Sequence, residues 1–221
     1  MIQRHFHEEL DRLKARLVAM AGLAEEGVRM AIEALHDRDA AKAESVIERD
    51  GAINDLELEI DDAAMSLLAL QQPMARDLRF IIMAMRISND VERVGDHAVN
   101  IAENVRFMVD QPPFVSLPEI DDMVHVTSGM LNDALDAYVR GDSELAREIV
   151  TRDDRVDELH ENVFRILLTH MMSDPPRISS GMDLLLVSRN VERIADLATN
   201  IAEDVVYMVE GRVIKHHAED R

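Results

Sequence analysis

Cysteine and tryptophan are absent from the 221 residues, and glycine and proline are scarce, at 8 and 6. Without cysteine there is no disulfide, thiolate nucleophile or thiolate metal ligand, so any metal chemistry falls to carboxylates, amides and imidazoles. So few turn formers, with aromatics at only 3%, argue against a many-stranded sandwich or barrel. Apolar runs such as Phe80 to Met85 are far shorter than the roughly 20 residues of a membrane-spanning helix. The opening Met1 to Leu10 carries His and Glu where a secretory leader needs an apolar stretch, so a cytoplasmic protein is expected.

What is present is a helical composition. Hydrophobic residues make up 47% of the chain, enough for a core, and Ala, Leu, Met, Glu and Arg recur, which points to an all-α fold. The net charge is 24 basic minus 44 acidic, or −20. Such a surface repels phosphate backbones and anionic lipid, so neither a nucleic-acid partner nor direct membrane insertion is expected; cations and basic partner surfaces suit it better.

An internal repeat organises the chain. Residues 88–110 read SNDVERVGDHAVNIAENVRFMVD and residues 188–210 read SRNVERIADLATNIAEDVVYMVE, with 13 of 23 positions identical at an offset of 100. Upstream the match is weaker and the offset becomes 103, pairing Asp39 with Asp142, Ala43 with Ala146, Arg49-Asp50 with Arg152-Asp153 and Leu56 with Leu159. Two related halves follow, 1–110 and 119–221, joined by the Pro-rich linker 111–118, QPPFVSLP, which cannot continue a helix. Each half divides into three helices at recognisable stops. The expected spans are 4–37, 40–71 and 75–110, then 119–140, 143–173 and 180–210, with Asp39 and Asp142 as N-caps and Pro73 and Asp174-Pro175-Pro176 as breaks.

On the third helix of each half an apolar stripe and an acidic row lie on different arcs. Val91, Val94, Ala98, Ile101, Ala102, Val105 and Val109 form the stripe in the first half, and Ile194, Ala198, Ile201, Ala202 and Val205 repeat it in the second. The row is Glu92, Asp96, Asn100 and Glu103, repeated as Glu192, Asp196, Asn200 and Glu203. Residues four apart are neighbours on a helix, so Glu92 with Asp96 and Glu192 with Asp196 set like charges side by side. The preceding helix offers Asp50 with Asn54, and Asp153 with Asp157. If the rows face each other, each half gathers three or four carboxylates plus amide oxygens, a cluster stable at neutral pH only with raised pKa values or bound cations. Oxygen ligation suits Mg, Ca, Mn or iron, with carboxylate-bound zinc also open. A solvated acidic face is the competing reading for any one such pair; its recurrence in both halves is what favours a site.

In sequence order, RD-x-x-x-[DN] at 49–54, LLALQQPMARDLRF at 67–80, ERVGDHAVNIAE at 92–103, RDDRVDEL at 152–159 and SRNVERIADLATNIAED at 188–204 resemble the PhoU family, accessory regulators of phosphate-specific transport. The resemblance runs from about residue 8 to 211. It implies two tandem three-helix bundles related by pseudo-twofold symmetry, and a paired [ED]xxxD metal motif that falls on Asp50 and Asn54, Glu92 and Asp96, Asp153 and Asp157, and Glu192 and Asp196. Asn54 departs from the motif, since its amide can ligate but adds no charge. The resemblance further implies divalent or trivalent metal ions in multinuclear iron or zinc clusters, and negative regulation of phosphate uptake and of the phosphate-starvation response. It also implies contacts with the phosphate transporter ATPase subunit and a sensor histidine kinase, a homodimer, and no catalysis.

Two other readings stay open at this level: a carboxylate-metal enzyme or metal-storage bundle, and a structural bundle whose acidic rows are merely solvated. A di-iron oxidase needs matched E-x-x-H pairs in one core, whereas Glu33-His36 is a lone E-x-x-H and Asp157-His160 a lone D-x-x-H. His97 becomes Leu197 in the second half, which favours packing over ligation, and the duplicated Arg93 and Arg193 are expected to neutralise local charge. No nucleotide-binding or acyl-transfer motif occurs.

Overall fold

A computed structural model describes residues 2–113 and 117–214, and shows helices joined by short turns. Residues 114–116 of the Pro-rich linker and residues 215–221 at the end of the second half lie outside the described residues. Helix α1 spans Ile2–Asp37, α2 Ala40–Arg49, α3 Gly51–Gln71 and α4 Ala75–Met108. The second half repeats the order as α5 Pro118–Arg140, α6 Ser143–Val150, α7 Asp153–Ser173 and α8 Ile178–Glu210, the last preceded by a 3-10 turn at Pro175–Arg177. Each half is a three-helix bundle in which the middle helix is split, so the all-α fold of two tandem bundles stands.

The split is the one departure from the expected helices, since 40–71 and 143–173 read as continuous in the sequence. In both halves it falls at the Arg-Asp pair. Ile53 N–H bonds to Asp50 O at 2.9 Å, and Arg152 N–H to Ile149 O at 2.9 Å, so each backbone tightens into a three-residue turn before the helix resumes. The result puts Asp50 immediately before α3 and Asp153 at the first residue of α7.

Local sequence explains the other boundaries. Asp39 Oδ1 accepts from the amides of Ala41 and Lys42 at 2.9 and 3.0 Å, and Asp142 Oδ1 from Glu144 and Leu145 at 3.1 and 3.0 Å, so the repeated aspartates are true N-caps. Pro118 opens α5, where its missing N–H costs nothing. Gly141 closes α5 at φ 65°, and Arg38 holds the matching left-handed position at φ 53° without glycine's freedom. Its guanidinium offsets that strain by donating to the carbonyls of Met108 and Val109 at 2.9 and 2.8 Å, capping α4.

Helices α4 and α8 run antiparallel and pack against each other through the middle of the molecule. Arg79 Nε donates to Met208 O at 3.0 Å at one end, and Gln111 Nε2 donates to Asp183 Oδ2 at 2.8 Å at the other. Between them His97 Nδ1 lies 2.9 Å from Asn190 Oδ1, and Arg86 pairs at 3.1 Å with the buried Asp204. The apolar stripes are buried as expected, Val91, Val94, Ala98, Ile101, Ala102 and Val105 on α4 and Ile194, Ala198, Ile201, Ala202 and Val205 on α8, except that Val109 caps the end of α4 and is only half-buried. With these faces committed to the core, the acidic rows are turned toward α3 and α7.

The two halves pack the junction between split helix and third helix by different means. A Cβ on Gly95 would stand 2.9 Å from Ile53 Cδ1 and 3.1 Å from Asp50 Oδ1. The repeat substitutes Ala195 for Gly95 and Val156 for Ile53, moving one methyl group from one side of the contact to the other. The pair is therefore expected to be coupled. Ile53→Val alone should cost about 0.5–1.5 kcal/mol, and in Gly95→Ala the gain in helix propensity of about 1 kcal/mol works against overpacking. The double variant should be more stable than the sum of the singles by roughly 1 kcal/mol in urea unfolding; simple additivity would show that no such exchange exists.

Candidate functional site

The acidic rows do face each other. In the first half Asn89 Nδ2 donates to Glu57 Oε1 at 3.3 Å, which sets the antiparallel register of α3 against α4. One turn along, Asn54 comes level with Glu92, and one further Asp50 with Asp96. In the second half His160 Nδ1 lies 3.1 Å from Ser188 Oγ, and the same stepping brings Asp157 level with Glu192 and Asp153 with Asp196. All eight residues singled out in the sequence thus lie along the two interhelical grooves where α3 meets α4 and α7 meets α8.

The charges register this proximity. Burial first, then the neighbouring Asp196, Asp157, Asp154 and Glu192, push the Asp153 carboxyl up to about 6. Asp157 and Glu192 are raised for the same reasons, burial leading and Asp196 next. In the first half burial raises Asp50, opposed by a hydrogen bond from Asn54 and reinforced by Asp96. Glu92 is raised by burial and then by Asp96, Glu57 and Asp50. Asn54 therefore has a definite effect: its Nδ2 donates to Asp50 Oδ2 at 3.1 Å, replacing a repulsion with a hydrogen bond.

The duplicated arginines diverge. Arg193 straddles its acidic neighbours, with Nη1 2.7 Å from Asp196 Oδ2 and Nε 3.5 Å from Glu192 Oε2. Arg93 turns instead to Asp90 at 3.5 Å. Local neutralisation, expected of both, acts at a distance in the first half, where the Arg93 charge lowers Glu92, and by direct ion pairing in the second.

The donor set fits a hard cation. Asp50 Oδ1 is buried with no hydrogen-bond donor, pressed against Gly95, and such an oxygen among like charges is what a bound cation satisfies. Among the described residues no three His, Asp or Glu side chains converge as a closed ligand set. Asn54, Asp96 and Asp157 are solvent-exposed.

Two cleft residues escape the spacing rule. Glu57 and His160 continue the rows of α3 and α7 by one turn, at positions 103 apart, and both act electrostatically on the clefts: Glu57 raises Glu92, while His160 lowers Asp157 and Glu192. The signal was the repeat offset itself, which sets an acid against an imidazole.

The fold and clefts can be set beside known proteins. A family model described as the PhoU domain matches residues 17–105 and again 120–205. The phosphate-specific transport system accessory protein PhoU homolog of Zymomonas mobilis subsp. mobilis is 39% identical over 207 residues, covering 94% of this chain and 87% of that protein. The crystal structure of PhoU from Pseudomonas aeruginosa superposes with a TM-score of 0.89 at 37% identity, covering 94% of this chain and 100% of that one. The phosphate transport system regulatory protein PhoU from Streptococcus pneumoniae gives 0.89 at 30% identity, covering 95% and 99%.

A raised carboxyl carries a stability cost with a defined pH window. Between about pH 4, the ordinary aspartate range, and about pH 6, the folded chain keeps the Asp153 proton that the unfolded chain has released. Stability therefore falls as pH rises through this window, and the penalty is complete above it. Asp153→Asn should raise the metal-free melting temperature at pH 7.5 by roughly 2–4 °C, or about 1 kcal/mol after solvent screening, and leave it unchanged at pH 4. An equal gain at both pH values would mean that the charge is not the cause.

Proposed function

The chain belongs to the PhoU family, and on that premise we propose that it is a cytoplasmic, metal-binding regulatory accessory of a phosphate-specific transport system. Its role is negative: it holds down phosphate uptake and the phosphate-starvation response when phosphate is plentiful. The full-length likeness to accessory and regulatory PhoU proteins carries this reading.

Asp50, Asn54, Glu92 and Asp96 would hold a cation in the first cleft, and Asp153, Asp157, Glu192 and Asp196 in the second. A bound divalent or trivalent ion, iron or zinc in a multinuclear cluster or Mg, Mn or Ca, supplies positive charge to a cleft that is otherwise self-repelling. The carboxylates orient the ion, and Arg193 releases Glu192 and Asp196 to it. Binding of this kind ties α3 to α4 and α7 to α8, stiffening the two halves.

No catalytic step is assigned. The bundle acts as an acidic helical adaptor, working as a homodimer, that contacts the transporter ATPase subunit and the sensor histidine kinase. Its influence comes from binding one conformation of each partner more tightly than the other. Among the described residues no helix is long and apolar enough to cross a membrane.

Deleting the gene should derepress a phosphate-starvation reporter in high phosphate by an order of magnitude or more, and the wild-type chain should restore repression. Unaltered repression in the deletion strain would overturn the reading. In the purified chain, millimolar Mn2+ should raise the melting temperature at pH 7.5, and Asp153→Ala with Asp196→Ala should abolish part of that shift.

A further inference from the structure

Large apolar side chains scattered singly over a surface are ordinary, but a contiguous group of them marks an interaction site. Stepping from the contact of His160 with Ser188 toward the turn that joins α7 to α8, Phe164 and Leu168 follow on α7, and Leu186, Met182 and Ile178 on α8. Each of these five is between 42 and 48% exposed, and Phe107 on α4 adds a sixth at 71%. In the first half Leu78, Ile82 and Arg86 share one groove with Tyr207. The repeat carries those four positions onto Ile178, Met182, Leu186 and Phe107, so the patch crosses from α7 over α8 to α4.

Comparison of the halves shows that this face is no by-product of the scaffold. Leu168, Ile178 and Met182 have exposed apolar counterparts in Met65, Leu78 and Ile82. Phe164, however, stands where the first half has Asp61, and Leu186 where it has Arg86. The ion pair of Arg86 with Asp204 is thereby replaced by Leu186 and Asn104. Both exchanges put a large apolar group where the same frame carries a charge, and neither group is buried, so the core gains little from them.

The surroundings select what covers such a face. Helices α7 and α8 carry eleven Asp and Glu against four Arg, or −7 with His neutral. Three of those arginines are already paired, Arg155 with Glu158, Arg165 with Glu161 and Arg193 with Asp196. A second copy docked by twofold symmetry would set this negative field against itself, and an anionic lipid surface is repelled for the same reason. We propose that this face of the second half docks a basic amphipathic helix of a partner protein, its apolar stripe on Phe164, Leu168, Met182 and Leu186 and its lysines or arginines over the carboxylates beyond them. This is helix-in-groove recognition, read by anchors at i, i+3, i+4 and i+7. The 21 residues of α7 give a groove about 30 Å long, room for a docked helix of about 18 residues. The inference deepens the adaptor reading above and rests on it only for the existence of a partner.

The test uses the full chain in EDTA and a dye-labelled peptide of Leu and Lys, about 18 residues long, with leucines along one helical face. A scrambled peptide of the same composition and charge, without an apolar face, is the control. By fluorescence anisotropy the amphipathic peptide should bind at least about tenfold more tightly than the scrambled one. Phe164→Asp with Leu186→Arg, which writes first-half residues into the second half, should weaken binding by about tenfold or more, and Phe164→Ala or Met182→Ala alone by about fivefold. The single variants trim half-exposed side chains, and their melting curves should match the wild type. Met65→Ala in the first half should change affinity by less than about twofold, while about 0.5 M NaCl should weaken it. Equal affinity for the two peptides, or indifference to every variant of the patch, would overturn the proposal. So would a double variant that loses self-association yet keeps the peptide, since the face would then join copies of this chain. In the deletion strain the double variant should fail to restore repression. Full repression by it would remove the docking role and leave the adaptor reading in place, whereas a wild-type chain without effect on the reporter would remove that reading and not the peptide affinity.

Discussion

The antiparallel seam between α4 and α8 is the constraint on which the rest depends, because it forces like charges together and supplies the free energy to hold them there. Val91, Val94, Ile101 and Val105 on one helix and Val191, Ile194, Ile201 and Val205 on the other are buried. Each such side chain contributes about 1.5–3 kcal/mol on burial, against a few tenths of a kcal/mol for an exposed like-charge pair at i, i+4. The seam wins by an order of magnitude, so the acidic rows lie where the apolar stripes leave them. The cost surfaces as raised carboxyls: burial and neighbouring charge act on Asp153, Asp157 and Glu192 together.

Duplication has kept that frame and varied what sits on it. The N-cap aspartates 39 and 142 and the split at Arg-Asp are conserved between halves, and both are backbone features. The exchanges that matter are side-chain ones: Asn54 against Asp157, Glu57 against His160, Arg93 turned away and Arg193 turned in. All of them fall within or beside the clefts, and they alter charge, donor type or ion-pair partner without disturbing the register of the helices that carry them. The halves are therefore alike as scaffolds and unlike as sites.

The helices were legible in the sequence because their determinants are local. A 3.6-residue stripe, the capping aspartates 39 and 142, Gly141, and the prolines at 73 and 175–176 place most ends within about two residues of their observed positions. The eight cleft residues were legible for a related reason: the i, i+4 spacing decides which side chains share a face, and the repeat singles out which faces matter. The split at Asp50 and Asp153 was not, since Arg-Asp within a run of helix formers carries no strong break signal, and only the hydrogen bonds reveal the tightened turn. The divergence of Arg193 from Arg93 and the contact of His160 with Ser188 were hidden for a different reason. Their roles depend on which of several partners a long or two-faced side chain chooses, and that choice is made across helices.

The split itself bears on how a cleft could communicate with the rest of the molecule. Had the middle helix of each half run straight, its first acid would be one more side chain along a rigid rod. Instead Asp50 and Asp153 sit at the joint between two helical segments, α2 with α3 and α6 with α7, and α2 and α6 each pack on α4 and α8 respectively. A charge change at the joint acts where backbone hydrogen bonding is already short of regular helix, the place where a small energy moves the largest lever. Each carboxylate row on a third helix rides on a backbone whose apolar stripe is held in the core. A change of charge in a cleft therefore bears on the joints, and through them on α2 and α6, before it bears on the seam.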